Sequence, residues 1–355
     1  MDEYFAQTEI FSTMEDFFEP IKKYNFWGDS SPDMGFPRKA YTDEIQNIED
    51  WEHFVNSKSQ DFTGEYDIFA SGSNSKTLSG ELATPLSGRY VQFEVLPFSF
   101  GEYCGASGKE GSRQSYIDYM NVGALPELFV LPNEDTKRNC IASIKDTVLL
   151  HDIIQRQNIK DAKLLEDVFV YLVHSASNLV SITSIVNFFK SKNRKSAHET
   201  VANYAGYMED AFLIHKAERY DIKGKDVIAG NCKYYPNGLS FKNYIYPGFG
   251  CGAGRKLENL AYLELRRAGF KTYVGAMRDK EVDFVARKGD RQIYIQSTYT
   301  LTGEDISGRG CSFCPVRFYI RQSKISFVSS PLIDSKRSQV DPTIGGFILP
   351  KRREA

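Results

Sequence analysis

Short apolar strands alternate with amphipathic helices near both ends of this chain, and a long helical stretch lies between them. Alternating apolar positions indicate strands, as in residues 89–98 (RYVQFEVLPF). Apolar positions three and four apart indicate helices, as in residues 257–270 (LENLAYLELRRAGF). The alternation of the two patterns predicts an α/β fold.

The composition of the chain excludes several classes of protein. A chain of 355 residues is long enough for two or three domains. With 44 basic and 46 acidic side chains, the net charge of -2 argues against a polycation that coats nucleic acid. No window approaches 18 apolar residues and the first residues are acidic, so we expect no membrane span and no secretory signal. The six scattered cysteines favour a reducing, cytoplasmic location.

An acidic pair, Asp43-Glu44, follows a short apolar segment. At the end of a strand, the first carboxylate of such a pair holds Mg²⁺ and the second orients the attacking water in nucleotide hydrolysis. Asn74 stands at the end of a second predicted strand, and Arg89 follows a glycine, so both could reach phosphate oxygens. Each residue also has an alternative interpretation. Asp43-Glu44 could belong to an acidic surface loop, Asn74 could cap a helix, and Arg89 could be a solvated side chain.

The order of these elements resembles the prokaryotic AAA+-type (P-loop) ATPases that carry a C-terminal winged helix and a PD-(D/E)xK nuclease-like domain. The resemblance covers roughly residues 39–302 and rests on four motifs: DEIQ (43–46), GSN (72–74), LSGRY (86–90) and LPFSFGEY (96–103). The resemblance implies ATP and Mg²⁺ as cofactors. It implies that Asp43 binds Mg²⁺ and that Glu44 orients the attacking water. It also implies that Asn74 senses the γ-phosphate or the water and that Arg89 binds the charged phosphates.

The phosphate-binding loop of that family is absent. Its G-x-x-x-x-G-K-[ST] motif wraps the phosphates in backbone N–H groups. The two Gly-Lys pairs, Gly108-Lys109 and Gly224-Lys225, are followed by Glu110 and Asp226 and do not match it. We therefore expect weak ATP binding and little or no hydrolysis. Together with an irregular tail rich in Ser and Pro, the missing loop suggests an eroded or frame-shifted gene.

Residues 181–230 read as helix, turn, helix and β-hairpin, which is the outline of a winged helix. Ser196 and Glu199 predict a capping box at the start of the second helix. Arg194, Lys195 and His198 are the candidate DNA-binding residues. The alternative is an internal packing module or a protein–protein surface.

A vestigial nuclease site is the third candidate. Glu258 on a helix, Asp283 on a strand and Gln296 on the next strand resemble the PD-(D/E)xK core. The E-x-K triplet reads Gln296-Ser297-Thr298, so the second metal carboxylate and the lysine are missing. We expect the nuclease-like fold without its activity.

These interpretations combine into one expected architecture: a partial P-loop ATPase α/β core, a helical and winged-helix middle, and a restriction-endonuclease-like α/β C-terminal domain. The expected function is an AAA+-like ATP-binding protein, with hydrolysis weak or absent. The alternative is a non-catalytic DNA- or protein-binding module, and a homo-oligomer is left open. The expected segments are a divergent N-terminal segment (1–40), an ATPase remnant (41–105), a helical region (106–180), a winged helix (181–230), a nuclease-like domain (248–302) and an irregular tail (303–355).

Overall fold

The computed structural model describes the backbone over nine stretches of the chain, which are residues 38–42, 51, 55, 66–73, 91–246, 252–277, 280–298, 317–322 and 324–329. The chain divides into two compact units. The first comprises residues 1–94 with 210–212, and the second comprises residues 95–209 with 213–355.

The first unit contains a pair of parallel strands, β1 (Arg38–Thr42) and β2 (Tyr66–Ala70). The register pairs Thr42 with Ala70, so the two strands end at the same edge. Trp51, from the predicted helix between them, is buried at 3% exposure. The strand–helix–strand order predicted for this part of the chain agrees with these elements.

The second unit begins with helices, most of which start at a residue whose side chain caps the first turn. Ser99 and Asn133 each form a capping box, and Asp161 accepts a hydrogen bond from the Leu164 N–H. No helix in the described stretches is long and apolar enough to cross a lipid bilayer. The helices are α1 (Phe100–Ser107), α2 (Arg113–Val122), α3 (Glu134–Lys145), α4 (Ile154–Gln157), α5 (Ala162–His174), α6 (Ile182–Ser191), α7 (His198–Asp210) and α8 (Ala253–Arg267).

Eight strands form one sheet in the order β10-β9-β8-β7-β6-β4-β5-β3. Strands β4 and β6 are parallel, and all the other neighbours are antiparallel. The strands are β3 (Leu179–Val180), β4 (Ile214–Asp221), β5 (Asp226–Pro236), β6 (Lys271–Met277), β7 (Lys280–Lys288), β8 (Arg291–Thr298), β9 (Arg317–Gln322) and β10 (Lys324–Ser329).

Helix α8 packs its apolar side on this sheet. Tyr262 of α8 stacks on Tyr235 of β5, with ring centroids 4.3 Å apart, and Phe284 of β7 lies beside both rings. Large aromatic rings bury about 150–250 Å² each and contribute much of the energy of a core. The same core contains Ala217, Ala261, Leu263, Leu265, Ala268, Phe270, Val274, Ala286, Ile293 and Ile295.

Four local features differ from the sequence expectations. The predicted capping box at Ser196 is wrong, because α7 begins at His198 and the Ser196 hydroxyl is buried with no hydrogen-bond partner. Residues 146–153 form a π-helix in a stretch that reads as a continuous α-helix. Residues 91–96, which lie in a segment predicted to be a strand, belong to no β-ladder. Strands β9 and β10 lie in the stretch predicted to be irregular.

Gly123, which ends α2, offers a test of the packing. Its φ is 91°, and a Cβ there would lie 2.1 Å from the Ser240 Oγ and 2.9 Å from the Ser240 backbone nitrogen. We expect Gly123→Ala to lower the free energy of unfolding by roughly 2 kcal/mol or more, measured by urea denaturation. The matched control is Gly105→Ala in α1, where a Cβ meets nothing within 4 Å. It should raise stability by about 0.5–1 kcal/mol, and equal losses in both variants would contradict the packing described.

Candidate functional site

A buried lysine lies at the centre of the second unit. The Lys233 ammonium on β5 is 2.9 Å from Glu258 Oε1 and 2.6 Å from Glu281 Oε1. Its side chain is only 4% exposed. Because β5 is buried over its last five residues, this ammonium cannot reach water by extending its stem. Lys233 therefore depends on the two carboxylates for its solvation.

Glu258 receives a second donor from the same strand. The Tyr235 hydroxyl donates a hydrogen bond of 2.8 Å to Glu258 Oε1, the oxygen that also contacts Lys233. Lys233 and Tyr235 are two positions apart, so the alternation of a strand directs both side chains to the same face. The carboxylate on α8 is thus bound by two donors from β5.

Asp283 lies at an irregular point of β7. The pairing with β6 shifts register between Tyr273 and Gly275, and a bulge of this kind redirects side chains next to functional sites. The Asp283 carboxylate oxygen Oδ2 accepts hydrogen bonds of 2.7 Å from both the backbone N–H and the hydroxyl of Ser297 on β8. The Asp283 N–H in turn donates to Gln296 Oε1 at 3.3 Å.

Burial and charge act in opposite directions on these groups. Burial alone lowers the pKa of the Lys233 ammonium, but Glu258 and Glu281 raise that pKa above its ordinary 10.5. Burial raises the pKa of Glu258 above 4.5; Lys233 opposes this shift and Asp283 adds to it. Burial also raises the pKa of Tyr235 well above 10, so the phenol stays a neutral donor. Near neutral pH, Lys233 is thus a fixed positive charge among acids.

The structure brings the three predicted nuclease residues together. Asp283 and Gln296 are hydrogen-bonded across β7 and β8, and Asp283 is close enough to Glu258 to influence its pKa. Lys233 and Tyr235 were not predicted from the sequence. The sequence does contain an indication, because a lysine between Cys232 and the aromatic pair Tyr234-Tyr235 needs an acidic partner if that strand is buried.

The chemistry of the donor set differs from that of an open metal site. A divalent cation such as Mg²⁺ binds carboxylate oxygens that are free to coordinate it. Here one oxygen of each acid of the cluster accepts a hydrogen bond or an ion pair from Lys233, Tyr235 or Ser297, and the Lys233 ammonium itself supplies a positive charge among the acids. Within the described stretches, no three His, Cys, Asp or Glu side chains are grouped so as to hold a metal ion.

The predicted nucleotide-site residues Asp43, Glu44, Asn74 and Arg89 lie outside the described residues. Their positions in the sequence are nevertheless related to the described strands. Asp43 directly follows β1, and Asn74 follows β2 by four residues. Since β1 and β2 are parallel and in register, Thr42 and Ala70 end the two strands at the same edge of the pair.

The three candidate DNA-binding residues differ in their surroundings. Lys195 and His198 are exposed, at the start of α7. Arg194 is half-buried, and its guanidinium contacts Asp167 and, at 3.1 Å, Asp161 of the segment that opens α5. Arg194 therefore anchors the turn between α6 and α7, while Lys195 and His198 face solvent.

Two family models match this chain, and the boundary between the two matched segments differs from the boundary between the compact units. Residues 11–104 match the AAA domain family, and residues 113–243 match a domain of unknown function, DUF8612. The first match supports a relationship to AAA-type ATPases, in which ATP and Mg²⁺ are the general ligands. The second carries no assigned activity.

Two curated relatives have no assigned activity either. An uncharacterized protein of Haemophilus influenzae is 35% identical over 263 residues, which are 73% of this chain and 65% of that protein. An uncharacterized protein of Methanocaldococcus jannaschii is 30% identical over 282 residues, 74% of this chain and 62% of that protein. The chain thus spans less than two thirds of the length of either relative.

Replacing Lys233 tests whether the ion cluster holds the core together. We expect Lys233→Met to lower the free energy of unfolding by roughly 3–5 kcal/mol, because Glu258 keeps a buried charge without its partner. Lys233→Met combined with Glu258→Gln should recover much of this loss. Urea denaturation followed by circular dichroism measures both variants.

The matched control is Lys216→Met on the neighbouring strand β4. Lys216 pairs with Glu218 at 3.4 Å, but its side chain is 36% exposed. Its loss should cost no more than about 1 kcal/mol. A Lys233→Met variant as stable as this control would contradict the role assigned to the buried ammonium.

Proposed function

We propose that the C-terminal two thirds of this chain are a non-catalytic nucleic-acid-binding module. In this proposal residues 162–236 form a winged helix, and the sheet with α8 is a nuclease-like scaffold without nuclease activity. The observation that carries the proposal is the Lys233 cluster. A nuclease needs several carboxylate oxygens that converge on a metal ion, whereas one oxygen of each of these acids binds a donor of the chain itself, and Gln296 stands where the second metal carboxylate is expected.

The order of elements between α5 and β5 supports the winged-helix proposal. Helix α5 is followed by β3, α6, α7 and the hairpin of β4 and β5, and β5 pairs with both β3 and β4. Helix-turn-helix proteins bind duplex DNA by laying the second helix in the major groove. By this analogy α7 is the recognition helix.

The charge distribution favours a polyanionic ligand. Lys190, Lys192 and Lys195 are exposed around the turn between α6 and α7, and Lys223 and Lys225 are exposed at the tip of the β4–β5 hairpin. The ion pairs of Arg194 with α5 hold the first group on a fixed turn. Exposed lysines on a rigid frame suit phosphate contacts, which supply most of the affinity for DNA.

A second proposal concerns the AAA-related segment. The family match supports nucleotide binding as a family property, and we propose that this chain binds ATP weakly and turns it over slowly or not at all. The physical reason is the absence of a G-x-x-x-x-G-K-[ST] loop from the sequence, because backbone amides of that loop provide most of the phosphate contacts.

Duplex DNA binding tests the first proposal. We expect the wild-type chain to bind a labelled duplex with an affinity that falls steeply as salt rises. Lys192→Ala with Lys195→Ala should weaken binding by roughly ten-fold and reduce the salt slope by about 2. Fluorescence anisotropy at several salt concentrations measures both quantities.

Two further variants make this result specific. Lys109→Ala removes a lysine that is 40% exposed and already paired with Asp118, so DNA affinity should not change. Arg194→Ala should lower the melting temperature, because Asp161 and Asp167 lose their partner. Two outcomes would contradict the proposal: all three variants bind DNA as the wild type does, or the wild type binds no DNA. In either case the surface serves a protein partner or none.

ATP titration tests the second proposal. We expect no binding in the micromolar range by calorimetry and no turnover above that of Glu44→Gln in a phosphate-release assay. Micromolar affinity, or turnover abolished by Glu44→Gln, would show that the chain holds the triphosphate without the usual loop.

A further inference from the structure

Four basic side chains lie together at one end of the large sheet. Strand β6 begins at Lys271, β7 ends at Lys288 and β8 begins at Arg291. These three strands pair antiparallel, so the three residues lie at the same end of the sheet, and Arg287 precedes Lys288 there. Lys271, Arg287 and Lys288 are exposed, and Arg291 is half-buried. These four residues are called the basic rim below.

The register of the strands places the rim cations opposite one another. Lys271 is the direct partner of Arg287 across β6 and β7, and Lys288 is the direct partner of Arg291 across β7 and β8. Like charges that face each other directly destabilise a strand pair. Because successive side chains of a strand point to opposite faces, one cation pair lies on each face. The rim thus concentrates positive charge without stabilising the sheet.

Aromatic rings position the first pair. The Lys271 ammonium lies 5.4 Å from the ring centroid of Tyr273, and the Arg287 guanidinium lies 5.8 Å from that of Tyr220. The two tyrosines are buried, with ring centroids 5.6 Å apart. A cation over the face of a ring is attracted to it while its N–H groups stay available to another acceptor.

The second pair is positioned on the face that carries α8. Lys288 Nζ donates a hydrogen bond of 2.8 Å to the carbonyl oxygen of Ala268, directly after this helix. The Arg291 guanidinium lies 5.9 Å from the ring centroid of Phe270. Neither a carbonyl nor a phenyl ring carries a formal charge. These contacts therefore orient the cations without neutralising them.

Counter-charges near the rim are few. Within the described stretches, no carboxylate lies within ion-pair distance of a rim cation. The pKa of Lys271 is raised, mainly by the Tyr273 hydroxyl and to a smaller extent by Glu218. The Glu218 carboxylate, however, already contacts Lys216 at 3.4 Å. The rim therefore has an excess of positive charge that the described residues do not balance.

We propose that the basic rim is a second phosphate-contacting surface for DNA. The inference rests on the DNA-binding function proposed above and adds a contact outside α6, α7 and the β4–β5 hairpin. Charge complementarity selects this occupant, because closely spaced cations on both faces of one sheet end suit a ligand with repeated negative charges. The guanidinium groups of Arg287 and Arg291 also present forked N–H donors that match phosphate oxygens.

Removing the first cation pair tests the inference. Lys271→Gln with Arg287→Gln should weaken binding of a labelled duplex by roughly ten-fold and reduce the salt slope by about 2. Fluorescence anisotropy at several salt concentrations measures both quantities. Lys288→Gln with Arg291→Gln is an independent second variant that should show a loss in the same direction. The melting temperature of each variant checks that it is folded.

Two control variants separate phosphate contact from other effects. Lys271→Arg with Arg287→Lys keeps both charges and should bind DNA within about two-fold of wild type. Lys137→Gln with Lys163→Gln removes two positive charges elsewhere, from lysines that already contact acids. This second control should leave the salt slope unchanged. An equal loss in it and in the rim variants would reflect net charge alone and would overturn the inference.

The outcomes distinguish this inference from the proposal on which it rests. If Lys192→Ala with Lys195→Ala weakens DNA binding but neither rim variant does, the rim inference is wrong and DNA binding through α7 stands. If the wild type binds no DNA, both are wrong. Polyglutamate serves as a second probe. Binding of polyglutamate that depends on the rim, beside DNA binding that does not, would assign the rim to an acidic protein and overturn the inference.

Discussion

The centre of the second unit depends on one buried ammonium group. Lys233 contacts Glu258 on α8 and Glu281 on β7, and it is itself part of β5. Removing a charge from water costs several kcal/mol, and only close, correctly placed counter-charges offset that cost. The ion cluster therefore fixes the positions of three elements that are well separated in sequence. If β5, β7 and α8 shifted relative to one another, a charge would stay buried without its partner.

This constraint extends to the surface proposed to bind DNA. Strand β5, which carries Lys233, also pairs with β3 and β4 on either side. The helices α6 and α7 lie between β3 and β4 in the chain. The turn that carries the exposed lysines is thus flanked in the chain by two strands of the sheet that contains Lys233. Under the DNA-binding proposal, the cluster contributes rigidity to that surface.

Local patterns predicted much of this fold because helices and strands follow the periodicity of their own side chains. The helical pattern of residues 257–270, for example, agrees with α8, which the structure places at Ala253–Arg267. The Lys233 cluster was not predictable in this way. Its partners follow at intervals of more than 20 residues, and a pattern within one strand does not reveal which elements lie against it. The same holds for the Ser196 hydroxyl, whose burial depends on tertiary packing.

Alternating sequence patterns have different structural outcomes in two parts of the chain. In β5 the alternation directs Lys233 and Tyr235 to Glu258, and the requirement of a buried charge is met within the chain. In residues 91–95 the apolar positions alternate just as regularly, but this stretch joins no ladder, and Val91, Phe93 and Val95 are exposed. Sequence periodicity specifies which residues share a face, and it does not specify the neighbour.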